Sequence, residues 1–301
     1  MFTNYRCYSL SISSELKMPE LIQLHGNMAT EADVHIAIGD VSKDGLAQGR
    51  QLGPRMWASQ SALWLQIPGV ARFLIRDGKE ILIDPEAGAD DDTLRLYLQG
   101  TAFGAILFQR GLLVLHGNAI RVGDSCMVCV GDSGAGKSTL AAAFMQRGHE
   151  ILADDVVPID KQGMALSGFP RIKLWQDAAD RLSIGTVGLR RIRAGDEKYH
   201  LPTPGNFAEH PLPVRWVYVL NRHPQKEILL DSVLGMERFQ LLHLNTYRRR
   251  YVKALCLETE HLKRCTQLSE RIHIARLTRP EQGNSMDALV ARILDDIAAH
   301  P

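Results

Sequence analysis

The sequence predicts an α/β fold in which a nucleotide-binding core follows a β-rich N-terminal region. Two observations support this. A glycine-rich loop stands between an apolar strand and a helix near the middle of the 301-residue chain, and short strand-like runs separated by turn residues fill the first hundred residues. We predict a β-rich region over residues 1–100 and a P-loop core with a C-terminal helix over 101–301, as two domains or as one.

Composition and charge narrow the class of protein. The chain is 45% hydrophobic and 23% charged with a formal net charge of +1, which is typical of a globular protein and gives no positive field for nucleic acid. Charged residues interrupt the first 21 residues, so neither a signal peptide nor a membrane segment is expected and the protein should be cytoplasmic.

Five scattered cysteines fit a reducing compartment. Cys126 and Cys129, three apart on a predicted strand, should be core residues and not zinc ligands.

The elements follow from the spacing of apolar and turn residues. Asp77-Gly78 predicts a hairpin turn. The residues 195–213 are rich in Gly and Pro and predict a loop. The strands are predicted at 8–13, 34–38, 62–67, 71–75, 79–84, 112–115, 119–122, 125–130, 150–155, 214–220 and 226–230, and the helices at 90–110, 139–147, 236–244, 254–262 and 286–297.

The glycine-rich loop matches the pattern G-x-x-x-x-G-K-[ST] in full. Such a loop wraps its backbone N–H groups and the following helix N-terminus around phosphates, so the chain should bind ATP or GTP with Mg²⁺. Lys137 should contact the β- and γ-phosphates, and the hydroxyl of Ser138 should bind Mg²⁺. The predicted nucleotide-binding residues are Gly131, Asp132, Ser133, Gly134, Ala135, Gly136, Lys137, Ser138 and Thr139.

Asp154 and Asp155 end the strand that follows the loop's helix. A right-handed crossover should bring this strand back parallel to the strand before the loop, with both carboxylates at the edge that binds phosphates. One carboxylate can hold Mg²⁺ while the other accepts a proton from a hydroxyl. Adjacent strand residues point in opposite directions, so we expect different roles for the two. His116, at the end of the strand 112–115, either tunes one of these aspartates or is structural.

These residues resemble the HPr kinase/phosphorylase family, whose catalytic domain is similar to that of phosphoenolpyruvate carboxykinase. The likeness covers about residues 110 to 160. It implies that Asp154 is the catalytic base, that Asp155 joins Ser138 at the metal, and that His116 and Lys137 assist catalysis. The matching motifs are His116-Gly117, the loop Gly131 to Ser138, Gln146-Arg-Gly-His149 and Leu152-Ala-Asp-Asp155.

The resemblance says less about which molecule accepts the phosphoryl group. The family's later glycine-rich signature, with its metal-binding Glu, has no clear counterpart here, so the reverse phosphorolysis is not predicted. The segments 67–73 and 169–175 look like shorter HPr-kinase-related proteins, some of which phosphorylate the C-terminal serine of lasso-peptide precursors. This implies a peptide or small-protein substrate carrying a serine, and homo-oligomers. Arg171 and Lys173, which share a face of a predicted strand, either meet a phosphate or carboxylate or are solvated.

Three alternatives stay open at this stage. The acceptor could be the protein HPr in sugar-uptake regulation, or a small molecule. The chain could also be a nucleotide-dependent regulatory module that transfers nothing, although the Asp154 and Asp155 pair argues against that reading.

Overall fold

The computed structural model describes residues 2–25, 32–193, 195–281 and 286–301. The chain divides into two compact units, one made of Met1–Val114 with Arg248–Leu262 and the other of Leu115–Tyr247 with Lys263–Pro301. Large sheets and helices occur together, so the predicted mixed α/β class is confirmed. Within the ranges described, no helix combines the length and apolar character needed to cross a membrane.

The strands are β1 (Thr3–Cys7), β2 (Leu10–Ser14), β3 (Ile22–Gln23), β4 (Val34–Ile38), β5 (Arg50–Gly53), β6 (Met56–Ala58), β7 (Ala62–Ile67), β8 (Ala71–Arg76), β9 (Glu80–Pro85), β10 (Leu113–Leu115), β11 (Gly117–Val122), β12 (Ser125–Gly131), β13 (Ile151–Asp154), β14 (Val157–Ile159), β15 (Met164–Ala165), β16 (Arg171–Trp175), β17 (Lys198–Pro202), β18 (Leu212–His223), β19 (Leu229–Ser232) and β20 (His273–Pro280). The helices are α1 (Asp91–Tyr97), α2 (Phe103–Gln109), α3 (Lys137–Met145), α4 (Gln176–Arg181), α5 (Met236–Leu244), α6 (Arg250–Ala254), α7 (Glu258–Ser269) and α8 (Met286–Ala299), and a π-helical turn at Leu98–Ala102 joins α1 to α2.

The N-terminal unit contains a nine-stranded sheet in the order β3-β1-β2-β4-β9-β8-β7-β6-β5. The predicted hairpin between β8 and β9 is confirmed, because Arg76 pairs with Glu80 and the turn between them contains Asp77 and Gly78, both with positive φ (55° and 63°). The predicted strand 8–13 begins later, at Leu10. Tyr8 and Ser9 also have positive φ and form the turn between β1 and β2.

The second unit is built around β12, the strand that enters the glycine loop. β18 pairs with β12 in parallel on one side, and β20 pairs with β18 in parallel. On the other side β11 pairs with both β12 and β13 in antiparallel orientation. The return of β13 in the direction of β12 is therefore confirmed, with β11 inserted between the two strands. Cys126 and Cys129 are buried free thiols on β12, as expected.

The C-terminal helix α8 covers one face of this sheet, as its periodicity predicts. Leu289 and Ile293 belong to the same buried cluster as Phe144 of α3. Asp296 fixes the helix, because it accepts hydrogen bonds from the hydroxyl of Tyr218 (2.8 Å) and from Nε2 of His273 (3.0 Å). These contacts join α8 to β18 and β20.

Three predictions about the second half of the chain need correction. The predicted helix 254–262 is wrong, because α6 ends at Ala254, Cys256 turns the chain with φ of 56°, and α7 begins only at Glu258. The predicted loop 195–213 contains β17, which pairs with β16. The predicted strand 226–230 lies instead at β19. Short segments of this kind are set by tertiary pairing and not by local periodicity.

We expect Gly117→Ala to destabilise the protein. A Cβ at Gly117 would lie 2.3 Å from the backbone oxygen of Cys129 on β12, and a strand backbone can move only by disturbing its neighbours. The free energy of unfolding should fall by about 1–3 kcal/mol. Thermal melting should show a lower midpoint for this variant.

Gly185→Ala is the matched control, because its Cβ would meet no atom within 4 Å. Equal melting temperatures for the two variants would contradict the predicted close approach of β11 and β12.

Candidate functional site

The glycine loop joins β12 to α3 through three glycines with positive φ. These are Gly131 (137°), Gly134 (81°) and Gly136 (105°), and Gly136 precedes the first residue of α3. A Cβ at Gly131 would lie 2.5 Å from the backbone oxygen of Leu220 on β18. A side chain at this position would therefore collide with the neighbouring strand as well as strain the backbone. The loop is shaped for glycine at these positions.

Lys137 lies across the loop. Its ammonium donates to the backbone oxygens of Gly131 (2.7 Å) and Asp132 (3.0 Å). Burial lowers the pKa of Lys137, although Asp155 and Asp154 act in the opposite direction. The cation is thus held by weak neutral acceptors, which an anionic ligand in the loop could replace.

Asp154 is the last residue of β13 and is 7% exposed. Its Oδ1 accepts a hydrogen bond from the hydroxyl of Ser138 (3.2 Å), and its Oδ2 accepts one from the backbone N–H of Lys173 (2.7 Å). Burial and the adjacent charge of Asp155 raise the pKa of Asp154. Ser138 and Asp154 therefore place two oxygen atoms side by side, the kind of donors that Mg²⁺ prefers.

Asp155 adopts a left-handed backbone conformation with φ of 74°. This ends the strand, so the side chains of Asp154 and Asp155 line the same cavity and do not point to opposite faces as expected. Non-glycine residues rarely adopt this conformation outside turns and functional sites. This turn of the backbone leaves both carboxyl groups in the wall of one cavity.

A cation and an imidazole surround Asp155. The ammonium of Lys173 lies 2.7 Å from Oδ2, and Nδ1 of His116 lies 3.5 Å from Oδ1. Burial alone would raise the pKa of Asp155, but the charge and hydrogen bond of Lys173, together with His116, hold that pKa below its usual range. The two adjacent carboxyl groups thus have pKa values shifted in opposite directions.

His116 is held in place by its neighbours. Its backbone N–H donates to the backbone oxygen of Asn245 (2.8 Å), and its Nδ1 lies 3.0 Å from the backbone oxygen of Asp155. Burial lowers the pKa of His116 despite the nearby charge of Asp155. A neutral ring must carry its proton on Nδ1 to donate to this carbonyl oxygen. His116 thereby fixes the backbone of Asp155 as well as facing its carboxylate.

The loop and the carboxylates open into one cavity of about 520 Å³. Among the predicted site residues, those that line it are His116, Ser133, Gly134, Gly136, Lys137, Ser138, Thr139, Asp154 and Asp155. Gly131, Asp132 and Ala135 belong to the loop without lining the cavity. Each predicted residue therefore lies in the cavity wall or in the loop that forms it.

Sequence reasoning missed most of the cavity's positive charge. The basic residues Arg181, Lys198, Arg222 and Arg279 line it, and so does the half-exposed ring of Trp175, with the ammonium of Lys198 5.3 Å from the ring centroid. Arg222 and Arg279 end strands parallel to β12. The rule that ligands bind at the carboxyl ends of parallel strands could have identified them.

We expect Lys173→Met to destabilise the protein in a pH-dependent way. Above about pH 4, the ordinary range of a carboxyl group, the depressed pKa of Asp155 stabilises the fold, and this contribution is lost as pH falls through the depressed value. Without Lys173, burial should raise that pKa. The melting temperature of the variant should lie furthest below the wild type at pH 8 and approach it toward pH 5.

The loss at pH 8 should be about 2–3 kcal/mol, since both side chains keep some contact with solvent. Lys173→Met combined with Asp155→Asn is the control and should show no such pH dependence. A gap between wild type and Lys173→Met that stays constant with pH would contradict the ion pair.

Comparison with known proteins gives a match over the same segment. Residues 112–193 match the family described as the HPr serine kinase C-terminal domain. An HPr kinase/phosphorylase from Neisseria meningitidis serogroup C is 31% identical over 101 residues, which cover 34% of this chain and 29% of the relative. One from Caldanaerobacter subterraneus subsp. tengcongensis is 41% identical over 51 residues, 17% of each chain. The chain thus spans less than a third of these relatives' length.

A solved structure is also similar, the Hpr(Ser) kinase/phosphatase from Coxiella burnetii. The likeness covers 62% of this chain and 90% of that one at 12% sequence identity, with a TM-score of 0.36. A likeness this low adds nothing to the fold described above. The family match at residues 112–193 includes the glycine loop and both aspartates, and together with the named relatives it confirms that the chain is HPr kinase-like in this segment.

Proposed function

We propose that the protein is a Mg²⁺-dependent kinase that transfers the γ-phosphoryl group of ATP or GTP to a serine hydroxyl of a peptide or small protein. The observation that carries this proposal is the meeting of the glycine loop, Lys137 and two aspartates with opposite pKa shifts in one cavity. Pairs of titratable groups whose pKa values are pushed apart are typical of acid–base sites. The names of the matched relatives, HPr kinase/phosphorylase, support the same reaction class.

The nucleotide phosphates would occupy the glycine loop. There the backbone N–H groups and the N-terminus of α3 face a negative ligand, and Lys137 can exchange its two carbonyl contacts for phosphate oxygens. Preorganised positive charge of this kind is the main source of rate acceleration in phosphoryl transfer.

The metal would be held by Ser138 and Asp154. Their oxygen atoms already lie 3.2 Å apart, and such hard donors fit Mg²⁺. When bound, the ion neutralises charge on the phosphates. A cation here would also offset the burial and repulsion that raise the pKa of Asp154.

We assign the proton acceptor to Asp155, the reverse of the roles that the family resemblance implies. Asp154 has one oxygen beside Ser138 and the other on a backbone N–H, and it is 7% exposed. The side chain of Asp155 is 28% exposed, so an incoming hydroxyl can reach it. The depressed pKa makes Asp155 a weak base, but it also keeps the carboxylate ionised at neutral pH.

In the proposed step, the serine oxygen forms a bond to the γ-phosphorus, the bond from that phosphorus to the β–γ bridging oxygen breaks, and the nucleoside diphosphate leaves. The serine proton passes to the carboxylate of Asp155. Lys173 and His116 position that carboxylate through the contacts described above.

The acceptor has two candidates. The matched relatives are named for HPr, which favours a folded protein substrate. The likeness of the segments 67–73 and 169–175 to shorter HPr-kinase-related proteins favours a peptide, including the C-terminal serine of a lasso-peptide precursor. A homo-oligomer, which the resemblance also implies, stays a prediction.

We expect substitutions of the two aspartates to remove different properties of the protein. In Asp155→Asn, transfer should fall by at least about 100-fold because the proton acceptor is lost, while the affinity for ATP with Mg²⁺ stays near that of the wild type. In Asp154→Asn, the gain in ATP affinity that Mg²⁺ provides should disappear. Isothermal titration with and without Mg²⁺ would separate the two. The opposite pattern would restore the roles implied by the resemblance.

The reaction itself is tested by mass spectrometry after incubation with ATP and Mg²⁺. Purified HPr and serine-containing peptides, including precursor peptides encoded beside the gene, serve as acceptors, with Lys137→Ala as the control. A gain of one phosphate on a serine, absent with the control, is expected. Nucleotide binding without phosphate gain on any acceptor would favour a regulatory module.

A further inference from the structure

We propose that Arg222 and Arg279 bind the α- and β-phosphates, the part of the nucleotide that is not transferred, and so fix the direction in which it lies. The ligand class is a nucleoside diphosphate moiety. This inference rests on the proposed use of a nucleotide, but it concerns residues outside the matched segment 112–193.

The two arginines are neighbours in the sheet. Arg222 of β18 stands opposite Arg279 of β20 in the parallel register. Leu220, two residues before Arg222, pairs with Gly131 at the start of the glycine loop. Arg222 lies two residues further along β18, so it stands beyond the level of Gly131, at the edge where the loop begins. Because residues two apart on a strand share a face, Arg222 lies on the same face of β18 as Leu220.

Both guanidinium groups border the loop itself. Nε of Arg279 donates to the backbone oxygen of Ala135 (3.1 Å), and its Nη2 lies 3.1 Å from the position that a Cβ of Gly136 would take. Nη2 of Arg222 lies 3.8 Å from the corresponding position at Gly134. A Cβ at Gly136 would therefore press on the guanidinium of Arg279, whereas one at Gly134 would meet Arg222 at an ordinary contact distance.

Arg222 and Arg279 place two positive charges next to each other. Within the described part of the chain, neither guanidinium has an acidic partner within 4 Å, although Glu281 lines the same cavity. Arg279 is only 9% exposed. Burial, then the charges of Arg222 and Arg181, lower its pKa. Two adjacent unneutralised cations on a partly buried surface are costly unless an anion joins them.

The sheet order sets the direction of the nucleotide. Along the edge the strands follow as β20, β18, β12, β11 and β13. The arginines stand on the β18 side of the loop, and Asp154 and Asp155 stand on the β13 side. Since the proposed proton acceptor Asp155 and the proposed metal ligand Asp154 lie at the end of β13, the transferred phosphoryl belongs there. The other two phosphates then extend toward Arg222 and Arg279.

The test is titration of the full chain with ADP and with ATP, both with Mg²⁺ and without any acceptor. Arg222→Met should weaken the binding of ADP and ATP by the same factor, about 10-fold, because both contain the α- and β-phosphates. Arg279→Lys, which keeps a cation but loses the forked geometry, should act in the same direction. Arg276→Met is the matched control, since Arg276 lies on β20 but contacts Glu237.

The outcomes separate the possibilities. Weaker binding of ATP alone would place the arginines at the transferred phosphoryl and overturn the proposed direction, and unchanged binding of both nucleotides would overturn the site. If the wild type bound neither nucleotide, the proposed function would fail as well. Without nucleotide, Arg222→Met should melt no lower than the wild type, because it removes repulsion. A lower melting temperature accompanied by lost binding would indicate a structural role and contradict the proposal.

Discussion

The carboxylates of two consecutive residues, the buried Asp154 and the half-buried Asp155, cannot both remain ionised unless nearby groups stabilise the charge, and Lys173 supplies that stabilisation. Its ammonium neutralises Asp155 and its backbone N–H supports Asp154. One residue of β16 therefore serves both acids. Because β16 pairs with β17, this two-stranded sheet helps to hold Lys173 where it stabilises the carboxylates beside the glycine loop. The site therefore depends on a two-stranded sheet that follows the glycine loop at a distance in the sequence.

The sequence was most informative where local patterns determine structure. The glycine loop, the helix after it and the hairpin at Asp77-Gly78 each follow from residues a few positions apart. β17 was missed because its pairing with β16 joins segments about 25 residues apart, and no periodicity records that pairing. The shared direction of Asp154 and Asp155 was missed for another reason. It depends on the positive φ of Asp155, and the sequence around an aspartate does not predict that angle.

The cavity separates two kinds of electrostatic environment along one sheet edge. At one end buried acids and hydroxyl oxygen suit a metal and a proton transfer, and at the other end guanidinium groups suit anions. A ligand that binds a metal cation at one end and carries negative charge along its length would fit both ends of the cavity at once. On the proposed function, a chain with a net charge of only +1 would thus bind a polyanion through local charge, without a positive surface overall.

The left-handed backbone at Asp155 also restricts which residues this position can accept. Asparagine tolerates this conformation, as aspartate does, whereas alanine or a β-branched residue would strain it. Glutamate keeps the charge but neither the short side chain nor the backbone preference. A related chain that gave up catalysis while keeping its fold would therefore be expected to carry asparagine here. The conformation of a single residue limits the evolutionary routes out of this site.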